Sequence, residues 1–85
     1  MIPRIKECKP LEDYKLLVTF DSGDAVIYDV KDDITQIDSF KPLETIAGLF
    51  EQVQLDESRT CIFWNDIIDL PSDTLLEYGK PIQNN

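Results

Sequence analysis

Histidine is absent from this 85-residue chain, cysteine occurs twice and glycine three times. Each shortage excludes chemistry. Without histidine there is no Ser-His or Cys-His nucleophile pair and no His-containing zinc site. Cys8 and Cys61 are too few for a four-cysteine site, and in a reducing compartment they read as small buried hydrophobes rather than a disulfide. Gly23, Gly48 and Gly79 stand too far apart for a G-x-G-x-x-G turn or a Walker loop, so a glycine-rich phosphate cradle is excluded. No apolar run nears the roughly 18 residues of a membrane span, and the opening MIPRIKECKP lacks the apolar stretch of a signal peptide. A cytoplasmic chain is expected.

Positive charge is also scarce. Eight Lys and Arg face seventeen Asp and Glu, a formal net charge of -9 at pH 7. Residues 1 to 15 carry Arg4, Lys6, Lys9 and Lys15 against three acids, net +1, while residues 16 to 85 carry four bases against fourteen acids, net -10. Such a field repels phosphate backbones and anionic bilayers, so neither direct nucleic-acid binding nor membrane association is expected. The aromatic set Tyr14, Phe20, Tyr28 and Phe63 lacks the interleaved Lys and Arg of a single-strand platform and reads as packing. The densest acids, Asp21, Asp24, Asp29, Asp32 and Asp33, miss the spacing of a calcium loop and read as solvated turn and loop carboxylates. No metal, no cofactor and no enzymatic activity are expected.

What is present suffices for one small domain, with 42% apolar residues. A domain this short buries only about 60% of its unfolded surface, so a thin core and a homo-oligomer, a dimer, are expected. Ile2 to Lys9 reads as a charged edge strand, with Pro3, Ile5 and Glu7 on one face and Arg4, Lys6 and Cys8 on the other. Tyr14 to Phe20 and Ala25 to Val30 flank Asp21-Ser22-Gly23-Asp24 and predict a hairpin. Its core faces are Leu16, Val18, Phe20 and Val26, Tyr28, Val30.

Lys31 to Ser39 reads as a polar crossover. Beyond it Thr45 is expected to N-cap a short helix with Ile46, Leu49 and Phe50 on its inner side, weakened by Gly48. Val53 and Leu55, a turn at Glu57-Ser58-Arg59, and Thr60 to Trp64 predict a second hairpin, and Ile67 to Asp69 adds a short strand. Pro71 opens a terminal helix that runs through Tyr78 and stops at Gly79. The fold class is therefore α+β, a small antiparallel sheet built from two hairpins with two short helices. Residues 1–79 form the domain and residues 80–85 a frayed tail.

The segments PRIKECKPLEDYKLLVTFDSGD, FKPLETIAGLFEQVQLDESRT and FWNDIIDLPSDTLLEYG resemble, in that order, the DUF2442 family of small prokaryotic proteins. The resemblance spans residues 3 to 79 and implies an α+β fold, with no established activity. Some members carry a helix-turn-helix domain after this module, and others are similar to components of proposed toxin-antitoxin pairs. Asn85 comes soon after the terminal helix, so a DNA-reading role that needs the extra domain is not carried over. Members often have a glycine soon after the tryptophan, where this chain has Asn65-Asp66-Ile67-Ile68.

Trp64 has two readings. It closes the second hairpin as a core residue with its indole N–H bonded to backbone, or it anchors a partner at a surface made with Asn65, Asp66 and Asp69. Phe63 and Trp64 point to opposite strand faces, so one of them leaves the main core, which keeps the second reading open. The function expected is an acidic protein-interaction module for a basic protein partner, with an antitoxin-like role among the forms it can take. The alternative is an accessory domain of a transcription regulator that lacks its own DNA-reading helices.

Overall fold

Alternation in the first half of the chain builds a four-stranded antiparallel sheet. The computed structural model describes residues 2–82. Within them β1 (Ile5–Pro10), β2 (Lys15–Phe20) and β3 (Ala25–Asp29) run in order, and β7 (Lys80–Pro81) closes the far edge against β3. The β2–β3 hairpin has the expected faces, since Leu16, Val18, Phe20, Val26, Tyr28 and Val30 are all buried. Gly23, at φ +96°, turns the chain between them.

β1 departs from strict alternation. Ile5 lies opposite Phe20 but Glu7 lies opposite Thr19, so Lys6 is an extra residue in the ladder. A bulge of this kind reverses the facing of the later residues in the strand. Cys8 therefore pairs with Val18 and packs on the core beside Ile5, not on the outer face with Lys6.

The second sheet has three strands, β4 (Gln54–Leu55), β5 (Cys61–Phe63) and β6 (Asp69–Pro71), all antiparallel. The hairpins thus belong to two sheets rather than one. Arg59 joins them: its carbonyl accepts the Ile5 N–H at 2.7 Å, and its guanidinium holds both oxygens of Asp21 at 2.8 Å. β6 begins two residues later than the sequence predicts. The reason is local, since Asn65 Oδ1 accepts the N–H groups of Ile67 and Ile68, each at 2.9 Å, and removes them from the ladder.

Three helices complete the α+β fold. α1 (Lys31–Gln36) occupies part of the expected crossover, opened by Asp29 accepting the Lys31 N–H and carrying Asp32 and Asp33 in its first turn. Only Ile34 is buried along it, which leaves no periodic signal to read. α2 (Pro42–Thr45) starts at Pro42, whose missing N–H suits a first helical position, and it ends at Thr45, where the sequence predicts a helix to begin. Ile46 is then extended and exposed, and Phe50 reaches the core from a 3-10 turn. α3 (Ser72–Tyr78) is the expected terminal helix and meets Gly79.

The expected frayed tail is ordered at its start. Lys80 and Pro81 pair with Ile27 and Val26, and the Ile82 N–H bonds to Ala25. Residues 83–85 lie outside the described residues.

Ser72 is fully buried, and its hydroxyl has no hydrogen-bond partner among the described residues. A buried unsatisfied hydroxyl costs about 1–3 kcal/mol. Ser72→Ala is therefore expected to raise stability by about 1 kcal/mol in urea titrations. A loss of similar size means that the hydroxyl is satisfied in solution.

Candidate functional site

Of the four residues predicted as an interaction surface, the structure withdraws the central one. Trp64 is 5% exposed, its Nε1 donates to the Phe50 carbonyl at 2.9 Å, and its ring stacks on Phe50 at 6.0 Å. Phe40 meets it edge-on at 6.4 Å. The second sheet packs onto the first with its Trp64 side inward, so the core reading holds. Asn65, Asp66 and Asp69 remain exposed beside Ile67, which is 72% exposed. The Asn65 turn needs no glycine, because positive φ among non-glycine described residues is confined to Asp13, Tyr14 and Arg59.

Other concavities gather functional groups more closely. One lies between α1 and α3, encloses about 380 Å³ and is lined by Tyr28, Asp29, Asp32, Asp33, Gln36, Thr74 and Tyr78. The Tyr28 hydroxyl donates to Asp33 Oδ2 at 2.7 Å. Burial pushes the Asp33 carboxyl above the ordinary carboxylate value, reinforced by the charges of Asp32 and Asp29 and opposed by the Tyr28 bond. Burial and the Asp33 bond likewise raise the Tyr28 phenol. No Lys or Arg lines this cleft, and Tyr78 at its mouth is 72% exposed.

The sign of these shifts is testable. Asp33 binds its proton more tightly folded than unfolded, so its charge opposes folding at neutral pH and that penalty fades as pH falls through the raised pKa. Asp13 and Asp21 act oppositely. Lys31 and Arg59 hold their carboxyls below the ordinary value, stabilising the fold above the unfolded pKa and losing that effect as pH falls through the lowered one. Asp33→Asn keeps an oxygen for the Tyr28 hydroxyl and removes the charge. It is expected to raise stability at pH 7 by less than about 1 kcal/mol, given solvent screening, with the gain shrinking toward pH 4. Denaturant titrations at both pH values check this, and a clear loss at pH 7 refutes it.

A second concavity, of about 270 Å³, lies between the Leu11–Tyr14 turn and the stretch from Leu43 to Glu51. Leu43 and Phe50 are buried in its floor and the half-buried Tyr14 ring meets Phe50 edge-on at 5.3 Å. Three left-handed residues line it: Asp13 at φ 63°, Tyr14 at φ 59° and Gly48 at φ 83°. For the two with side chains this backbone is costly, and it persists because the surroundings impose it. Lys31 grips Asp13 at 2.8 Å, the Leu11 N–H bonds to the Lys15 carbonyl, and the Val30 N–H bonds to the Tyr14 carbonyl. Sequence reasoning missed this groove. Its signals were Ile46, which a short helix would have turned inward, and Tyr14, which the alternation assigns to the start of the first hairpin.

A wider hollow of about 570 Å³ lies between Ile2–Arg4 and the Asp21–Ser22 turn, with the Asp21 carboxylate already held by Arg59. Both cysteines are free, and burial pushes the Cys8 thiol up to about 12, far from a reactive thiolate. Among the described residues no group of three or more Cys, Asp or Glu side chains is placed to hold a metal ion. No helix among them is long and apolar enough to cross a membrane.

No curated protein and no solved structure matches the chain. The family model of DUF2442, a protein of unknown function, matches residues 5–81, from the start of β1 to the end of β7. A match over that much of the sequence, on the two-sheet α+β fold described above, places the chain in the DUF2442 family.

Proposed function

We propose that this chain is a non-catalytic interaction module that recognises a basic protein partner. The observation that carries the reading is the cleft between α1 and α3, where Asp29, Asp32 and Asp33 converge beside an exposed Tyr78 with no basic residue in the lining. Carboxylates accept charge-assisted, often bidentate bonds from arginine, and an exposed phenol ring receives a cation on its face. The ion pairs among the described residues engage Glu7, Asp13 and Asp21, all outside this cleft. No ion pair among the described residues therefore takes up its charge, although the field of Lys31 reaches Asp29 and Asp33 accepts the Tyr28 hydroxyl. With a net charge of -9, the whole chain adds long-range attraction for a basic surface.

An antitoxin-like role, in which the chain covers a basic nucleic-acid-binding or RNA-cleaving protein, falls within this reading. So does a homodimer, which would enlarge a thin core, and sedimentation as a monomer at high protein concentration removes that part. The main test is purification of the tagged chain from its native host at low salt. A stoichiometric basic protein should co-purify, should dissociate as salt rises, and should be lost with Asp29→Asn combined with Asp32→Asn. Recovery of no stoichiometric partner, or of one indifferent to those substitutions, counts against the cleft.

A further inference from the structure

We propose that the groove between the Leu11–Tyr14 turn and the Leu43–Glu51 stretch docks a basic amphipathic segment of a partner protein. One apolar side chain of that segment enters between Leu11 and Ile46, and its lysines or arginines lie against Glu12, Glu44 and Glu51. The proposal rests on the basic-partner reading but uses a different surface from the Tyr78 cleft.

The groove pairs an apolar floor with a carboxylate rim, and its open lining is about evenly polar and apolar. Leu43 and Phe50 form its floor, while Leu11 and Ile46 stand exposed at its mouth, Ile46 at 55%. Its volume of about 270 Å³ falls below the roughly 300–1,000 Å³ of sites that enclose a whole small molecule, and suits an anchoring side chain. At the rim, Lys15 and Lys31 are spent on Asp13. Lys41 is turned away, its ammonium bonded to the Ile34 carbonyl. Glu12, Glu44 and Glu51 have no ion pair among the described residues, although the field of Lys31 reaches Glu44. The rim therefore stays negative around an uncovered apolar mouth.

Charge decides the occupant. A second copy docking through the same face would set these carboxylates against their own equivalents across a two-fold axis, and an anionic bilayer would be repelled outright. A basic amphipathic helix satisfies both parts of the groove, its apolar stripe supplying the anchor and its polar face the countercharge.

Trp64 is the chain's single tryptophan and stacks on the groove floor at Phe50, so its emission reports occupancy. The probe is a synthetic helical peptide with leucine at positions i, i+3, i+4 and i+7 and lysine elsewhere, titrated into the full chain. The expected result is saturable binding that weakens with salt, and weakens about tenfold or more in Ile46→Glu and in Glu44→Lys with Glu51→Lys. Asp29→Asn with Asp32→Asn in the other cleft should leave it unchanged. Circular dichroism verifies that these surface variants are folded. The proposal is overturned by no saturable binding, by unchanged affinity in Ile46→Glu, or by equal binding of a peptide carrying serine for leucine or glutamate for lysine. It is also overturned by anionic phosphatidylglycerol vesicles competing for the groove, or by a homodimer that Ile46→Glu dissolves. Binding lost only in the Asp29 and Asp32 variant refutes the groove and leaves the basic-partner reading standing.

Discussion

Phe50→Ala is expected to cost about 3–5 kcal/mol of unfolding free energy. Phe50 is buried among other rings, edge-on to Tyr14 at 5.3 Å and stacked on Trp64 at 6.0 Å with 24° between the planes. Its removal forfeits the transfer energy of the ring and leaves a cavity that two large neighbours cannot refill without leaving their rotamers. The aromatic contacts add about 0.5–1.5 kcal/mol per pair beyond the area buried. A domain of this length commands roughly 0.05–0.15 kcal/mol per residue in total, so the variant should sit near its unfolding threshold. Urea titration monitored by Trp64 emission gives the number, and Phe50→Leu should recover more than half of the loss. A cost below about 1 kcal/mol for alanine would show that the ring is not closely packed between Tyr14 and Trp64.

Gly79→Ala is the second large effect, and it acts through space rather than backbone freedom. Gly79 has an ordinary φ of -70°, but a Cβ there would lie 2.5 Å from the Leu75 carbonyl oxygen, 2.6 Å from Val26 Cγ2 and 2.8 Å from Val26 Cβ. Two of the three obstructing atoms belong to β3 in the sheet and the third to the α3 backbone, so no flexible side-chain tip can yield. α3 and β7 must move off β3, and overpacking of this sort costs about 1–3 kcal/mol, with the upper end expected here. Amide exchange should quicken selectively at Gly79, whose N–H bonds to Leu75, and at Ile82, whose N–H bonds to Ala25. Gly48→Ala is the contrasting case, with open space around its Cβ and a cost set by its φ of 83°. Equal exchange throughout the Gly79→Ala protein would mean that the helix end is not where the strain is released.

The two residues differ in how far the sequence reveals them. Phe50 is legible as a core residue because the apolar positions around it, Ile46, Leu49 and Phe50, allow an inner face. Its route to the core is not, since Pro42 draws the helix start forward and the extended backbone of Ile46 ends the helix before Phe50. The proposed groove exists because of that difference, which leaves Ile46 outside while Phe50 goes in. The clash at Gly79 is invisible in the sequence, because Val26 lies more than half the chain away. The candidate surface at residues 64–69 is half legible. The exposed Asn65, Asp66 and Asp69 result from polarity, but the inward turn of Trp64 depends on which face of a three-stranded sheet is covered.

What the sequence determined alone are the features that arise between near neighbours: the two hairpins, the buried faces of β2 and β3, the terminal helix, the absence of histidine chemistry and the carboxylate excess. Alternation, turn residues and formal charge act over a few positions and need no partner. Only the tertiary structure decided the bulge at Lys6 that carries Cys8 inward, the division of strands between two sheets, the addition of Lys80–Pro81 to β3 and the burial of Trp64. Each of these is chosen by contacts between residues distant in sequence. For strands of two or three residues, that long-range packing outweighs any preference the local chain can express.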